Sequence, residues 1–175
     1  LHFKAFNFGE KMEPVKVIEN GEVTPATDRI IQMVAEAGII LSTGHMDSEE
    51  IRAILRSAKK HGVSKIVMEH PNFYTPEQYS MDDLAFFAQE GVYLSHSFGA
   101  MHPLYGRKDP KDTAAIIKMV GAEHCMMMTD FGQAESPSPA EGMRIFCEIM
   151  YRCGISREEI YTMTKYNPAR LLDLD

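Results

Sequence analysis

No G-x-G-x-x-G and no G-x-x-x-x-G-K-[ST] segment follows any apolar run of this sequence. Those are the loops that cradle dinucleotides and nucleoside triphosphates at a parallel sheet, so their absence argues against a nucleotide-binding fold. Cysteine is scarce. Cys125, Cys147 and Cys153 are an odd number with no C-x-x-C spacing, which gives no disulfide framework. All three lie in apolar stretches, as buried thiols of a reducing cytosol do. No apolar run approaches the roughly 18 residues of a membrane span. The opening LHFKAFNFGEK is no secretory leader, because Lys4 and Asn7 interrupt its apolar residues. Positive charge is also short, with 18 Lys and Arg against 25 Asp and Glu and a formal net charge of -7. Binding a phosphate backbone needs a basic surface, so a nucleic-acid partner is not expected. A small molecule is the expected partner.

What is present is an alternation. VKVI (Val15 to Ile18) and Glu22-Val23 flank Asn20-Gly21, a pair that tolerates positive φ and signals a hairpin. A helical segment, Ala26 to Ala37, then sets Ile30, Ile31, Val34 and Ala37 on one face. After Gly38 comes the short apolar strand IILSTGH. Asp47, with Glu50 three residues on, forms a capping box for a helix from Ser48 to His61. Gly62 ends that helix and SKIVMEH follows. Ser80 caps a third helix ending at Gly91, before the strand GVYLSH. Asp109-Pro110 opens a fourth helix that stops near Gly121. The strand HCMMMTD, a Pro/Ser/Gly loop and two closing helices, Pro139 to Cys153 and Ser156 to Tyr166, complete the chain. Met126, Met127 and Met128 read as strand core.

Short buried strands alternating with helices predict an α/β fold with a parallel sheet, doubly wound or a barrel. An eight-stranded barrel takes roughly 250 residues. At 175 residues, with four β/α units, this chain has about half of one. It opens on Leu1 rather than methionine, and a fragment of a longer protein is expected. We expect one domain, with residues 1–25 as loop and hairpin and 26–175 as β/α units.

Each strand ends on an ionisable residue: His45, His70, His96 and Asp130 in turn. The C-terminal ends of parallel strands are where such folds place their sites. Imidazole and carboxylate are ligands of zinc and similar divalent metals. Two histidines and an aspartate can hold a metal and leave a position for water, whose pKa falls towards roughly 7. Asp130 can then accept its proton as general base. Taken singly, a strand-end histidine is more often structural. His96 is the weaker candidate, since strand alternation can point it elsewhere. We carry it with His102, Asn72 and Gln133 as expected substrate contacts, although His102 also suits a solvent position. His61 sits in the last turn of a helix, where a cation suits the dipole. His2 and His124 have no evident partner.

The runs STGH (Ser42 to His45), EHPN (Glu69 to Asn72), TDFGQ (Thr129 to Gln133) and NPARLLDL (Asn167 to Leu174) together resemble the amidohydrolase superfamily, and most closely a cytosolic branch of it. The resemblance covers about residues 15 to 175. It implies a distorted (β/α)8 TIM-type barrel, of which this chain would be units 5 to 8 with the closing helices. It implies one or two divalent metals, zinc first, with manganese, iron or nickel also suited. His45 matches the metal-binding histidine after the fifth strand and His70 the one after the sixth. Asp130 matches the aspartate after the eighth, which binds metal and relays the proton of the attacking water. Asn167 to Leu174 matches a closing helix. The family's first-strand H-x-H pair and its lysine or glutamate after the fourth strand are absent, and His2-Phe3-Lys4 cannot replace the pair.

The resulting expectation is a cytoplasmic, homo-oligomeric, metal-dependent hydrolase of an amide, cyclic amide or related C–N bond. The alternative is a non-catalytic ligand-binding or oligomeric half-barrel without a complete metal site. A phosphoesterase has thin support from Arg107 and Lys108 alone.

Overall fold

The computed structural model describes residues 15–104 and 106–174. The expectations for His2 and for LHFKAFNFGEK fall outside them. The hairpin is present. β1 (Ile18–Glu19) pairs antiparallel with β2 (Glu22–Val23). Asn20 and Gly21 both take positive φ, at 54° and 78°, as the tight turn requires.

The main body alternates as follows: α1 (Pro25–Ala37), β3 (Leu41–Ser42), α2 (Ser48–His61), β4 (Ile66–Glu69), α3 (Pro71–Tyr74), α4 (Met81–Gln89), β5 (Val92–Ser97), α5 (Pro110–Val120), β6 (Cys125–Met128), α6 (Pro139–Arg152), α7 (Arg157–Tyr161) and α8 (Asn167–Leu171). The strands form one parallel sheet in the order β3-β4-β5-β6. Because the order follows the chain, the helices between successive strands of this sheet are crossovers between neighbours. This is an α/β fold with a parallel sheet, as the alternation predicts. The four strands form an open sheet with β3 and β6 at its edges rather than a closed barrel. No helix among the described residues is long and apolar enough to cross a membrane.

Local signals in the sequence act as read. Asp47 and Glu50 form a reciprocal capping box on α2, and Ser80 with Asp83 does the same on α4. Asp109 accepts from the Lys111 amide, with Pro110 in the first turn. His61 closes α2, and its Nε2 lies 3.0 Å from Asp28 Oδ1, a hydrogen bond that ties the end of α2 to α1.

Alternation along the strands fixes the core. Ile66, Met68, Val92, Leu94, Cys125 and Met127 belong to one buried cluster with Ile51, Leu55, Leu84, Phe87, Ile117 and Phe146 of the helices. Each fully buried large side chain contributes about 1.5–3 kcal/mol of transfer free energy. Residues of opposite parity look to the other side of the sheet. Met126 and Met128 are therefore only half-buried, whereas Met127 is in the core. The expectation of a continuous methionine core holds for one of the three.

The C-terminal helix departs from the expected single run. A π turn over Thr162–Tyr166 joins α7 to α8. Thr162 and Thr164 hydroxyls donate to the Glu158 and Ile160 carbonyls one turn back, and Pro168 brings no amide donor. Such back-bonding and a missing N–H both loosen the regular ladder. Asn167, the first residue of N-P-A-R, is buried. Its Nδ2 donates to the carbonyls of Ala122 (2.8 Å) and Cys125 (2.7 Å), which ties the last helix to the start of β6.

Candidate metal centre

His45, His70 and Asp130 arrive at the C-terminal ends of β3, β4 and β6, each by a different local device. His45 lies in the turn between Gly44 (φ 56°) and the α2 cap. Its loop is held from the next β/α unit. Gln78 Nε2 donates to the Met46 carbonyl at 3.1 Å, and the buried Tyr79 phenol donates to the same oxygen.

His70 follows Met68 at the same parity, so a continued strand would turn it towards the helices. Instead its backbone is left-handed (φ 35°, ψ 49°), a conformation rarely taken by non-glycine residues. The amide still donates to the Ser95 carbonyl at 2.8 Å. The ring comes to 4.6 Å from that of His45, centroid to centroid, edge to face at 71°. Burial lowers the His70 pKa, and His45 lowers it further, while Asp130 and Glu69 oppose. The ring is therefore neutral near pH 7, with a lone pair for a ligand. Its Nδ1 is buried and has no hydrogen-bond partner among the described residues.

Asp130 also has positive φ, at 56°, and its carboxylate is exposed. Ser97 Oγ donates to Oδ2 at 3.4 Å. Gly99 backs this contact, and a Cβ there would lie 3.0 Å from Ser97 Oγ and 3.4 Å from Oδ2.

Three residues not singled out in the sequence belong to the same place. Glu69 accepts from Ser42 Oγ at 3.0 Å and acts electrostatically on His70. Ser97 holds Asp130. Tyr74 lies four residues after His70 on α3, with its ring 5.5 Å from His70 and 6.1 Å from His45. Burial and the Asp130 charge both raise its pKa, so the phenol stays protonated. Pro71, a favoured first helical residue, was the available signal that a short helix begins after His70.

The expected substrate contacts fare unevenly. His96 shares the helix-facing side of β5 with Val92 and Leu94 and is 0% exposed. A substrate contact does not fit that burial. Asn72 is 3% exposed, and its amide is spent inside the fold. Nδ2 donates to the Ser97 carbonyl (2.9 Å) and to Thr113 Oγ1 (3.1 Å), and Oδ1 accepts from the Ser97 amide (2.9 Å). It positions Ser97, and through it Asp130. Gln133 accepts from the Gly132 amide and the Ser136 hydroxyl, both at 3.2 Å, which organises its loop. His102 is half-buried with its ring 5.9 Å from Phe131, and its Nδ1 accepts from the Leu104 amide.

Two adjacent imidazoles, one of them with a buried nitrogen that has no partner among the described residues, and a nearby carboxylate suit a divalent cation in donor chemistry. Among the described residues, however, no three His, Cys, Asp or Glu side chains stand close enough together to form a complete cage.

The class defined so far is an α/β protein with ionisable groups collected at the C-terminal edge of a parallel sheet. Residues 2–95 match a family of unknown function (DUF6282), and the chain belongs to that family. No curated protein matches it. Among solved structures it is similar to an N-acetyl-D-glucosamine-6-phosphate deacetylase from Mycobacterium smegmatis, with a TM-score of 0.60 and 19% identity. The likeness covers 87% of this chain and 43% of the deacetylase, so the chain spans less than half the length of that enzyme. At that identity the likeness concerns the fold.

Proposed function

We propose that this chain is the C-terminal half of a (β/α)8 barrel, units 5 to 8, from a metal-dependent hydrolase of a small amide, cyclic amide or related C–N bond. The observation that carries this reading is the convergence of His45 and His70, 4.6 Å apart, with Asp130 near enough to perturb His70. The partial likeness to a deacetylase, which covers 43% of that chain, supports it. His45, His70 and Asp130 would hold the cation, zinc first, with manganese, iron or nickel also suited to these donors. A divalent ion there supplies acidity to a water, bringing its pKa towards roughly 7. Asp130, exposed and hydrogen-bonded through one oxygen to Ser97, is the base that takes the proton. Neutral His70 offers Nε2 as a ligand, and its orphaned Nδ1 is where an outer partner would fix the tautomer. The unpaired thiols of Cys125, Cys147 and Cys153 support a cytosolic setting. The two open sheet edges support a homo-oligomer.

The test is calorimetric titration of the metal-stripped chain with Zn²⁺ and Mn²⁺, with elemental analysis of the protein as purified. One equivalent is expected, weakened at least about 10-fold by His45→Ala, His70→Ala or Asp130→Asn. A chain that takes up no divalent ion, and whose hydrolysis of N-acetylated amino sugars or lactams is not raised by added metal, refutes the proposal. The incomplete cage favours one other reading, a ligand-binding half-barrel without catalysis. That reading predicts small-molecule binding indifferent to metal.

A further inference from the structure

The hydroxyls near the paired imidazoles are mostly committed. Ser42 donates to Glu69, Ser97 to Asp130 and Tyr79 to the Met46 carbonyl. Tyr74 differs. Its ring meets both His45 and His70, it is half-buried, and its phenol makes no hydrogen bond among the described residues. An O–H left open beside two ligand-type rings is a donor without an acceptor, and a buried or half-buried donor gains most from finding one.

The charges nearby decide which acceptor fits. Glu69 and Asp130 contribute negative potential. The cationic heads of the neighbouring loop are turned to other work. Lys108 Nζ donates to Glu77 Oε2 (2.6 Å) and to the Thr75 carbonyl (3.0 Å), and Arg107 Nε donates to the Pro103 carbonyl (2.8 Å). An anionic headgroup would meet two carboxylates with no free cation among these residues, whereas a neutral carbonyl oxygen meets the phenol at no electrostatic cost.

We infer that Tyr74 is the substrate-binding donor of this site, its phenol holding the carbonyl oxygen of an uncharged amide beside His45, His70 and Asp130. This rests on the hydrolase reading and narrows its substrate to a neutral carbonyl compound. The Phe73 and Tyr79 rings, 5.6 Å and 6.2 Å from Tyr74, fix the phenol's position. The donor is thus preorganised and does not have to be recruited from solvent.

The experiment compares the 175-residue chain with Tyr74→Phe, which keeps the ring and its packing. N-methylacetamide and methyl phosphate are titrated into each protein, followed by amide-resolved NMR, both metal-free and with Zn²⁺. The wild-type chain is expected to bind N-methylacetamide more tightly than methyl phosphate. In Tyr74→Phe the amide Kd should rise about 3- to 10-fold, as loss of one neutral hydrogen bond implies. The melting temperature and the Zn²⁺ affinity should stay unchanged, so that the loss falls on amide binding alone, whereas a merely packing role, preserved by phenylalanine, would leave the amide Kd equal in the two proteins. Equal amide Kd in the two proteins, no amide binding by the wild type, or tighter binding of methyl phosphate overturns the inference. Failure to bind Zn²⁺ would sink the hydrolase reading alone, since the metal-free titrations still report on Tyr74.

Discussion

His96 makes the sharpest prediction about stability. It lies 0% exposed on the core side of β5, and neither ring nitrogen has a hydrogen-bond partner among the described residues. Burial alone pushes its pKa down from 6.5 to about 3. In the unfolded chain the ring protonates near its ordinary value, while in the folded chain it resists until about pH 3. Its contribution to stability is therefore complete above pH 6.5 and is lost as the pH falls through the window from 6.5 to about 3. Each pH unit in that window costs about 1.4 kcal/mol, or about 4–5 kcal/mol across it. That is a large part of the roughly 5–15 kcal/mol that holds a typical domain folded. His96→Leu removes the titration. At pH 7.5 it also removes two unsatisfied polar atoms, each costing about 1–3 kcal/mol, against about 1–3 kcal/mol for overpacking. The variant should therefore be close to wild type at pH 7.5 and progressively more stable than wild type below pH 6.5. The chain has no tryptophan, so guanidinium unfolding is best followed by circular dichroism, at pH 7.5, 6, 5 and 4. Parallel loss of stability in the two proteins would refute the reasoning. So would a folded-state NMR titration of His96 with its midpoint near 6.5.

Two further outcomes follow from other residues. Asn72→Ala strands the Ser97 amide, the Ser97 carbonyl and the Thr113 hydroxyl in the interior. At about 1–3 kcal/mol for each of the three stranded groups, and about 2–4 °C per kcal/mol for a chain of this size, calorimetry should show melting lower by at least roughly 6 °C, and a change under about 2 °C would contradict the clamp. Asp28 is held below its ordinary 3.8 by hydrogen bonds from Ser57 and then His61. Its contribution is present above pH 3.8 and lost as the pH falls through the folded value. The melting-temperature gap between wild type and Asp28→Asn should therefore close below about pH 4, and a gap that stays constant to pH 2.5 would argue against it.

Much of this could be read from the sequence because it was written locally. The Asp47/Glu50 box, Ser80, Asp109-Pro110 and the glycine stops each depend on residues a few positions apart, and the helices begin and end there. The order of polar strand ends likewise brought out His45, His70 and Asp130. What was hidden depends on geometry that no spacing encodes. A two-residue period would put His70 with Met68 in the core, and a left-handed backbone at one histidine reverses it. The period does act on His96, which is why it is core. Asn72, in the EHPN run, was expected to contact substrate, yet its amide reaches 25 residues along the chain to Ser97. Tyr74 was invisible because a four-residue helix has too little pattern to detect.

The Met46 carbonyl, clasped by Gln78 and Tyr79, bears on how such a chain can be altered. The loop that presents His45 is shaped by residues of the following β/α unit. A relative's loop grafted between β3 and α2 would arrive without its clasp, and a new clasp without its loop would find no oxygen. Exchange of this loop, by an engineer or by recombination, therefore carries residues 45 to 79 as one inheritable block, with crossover points inside α1 and α4 rather than at the turn itself.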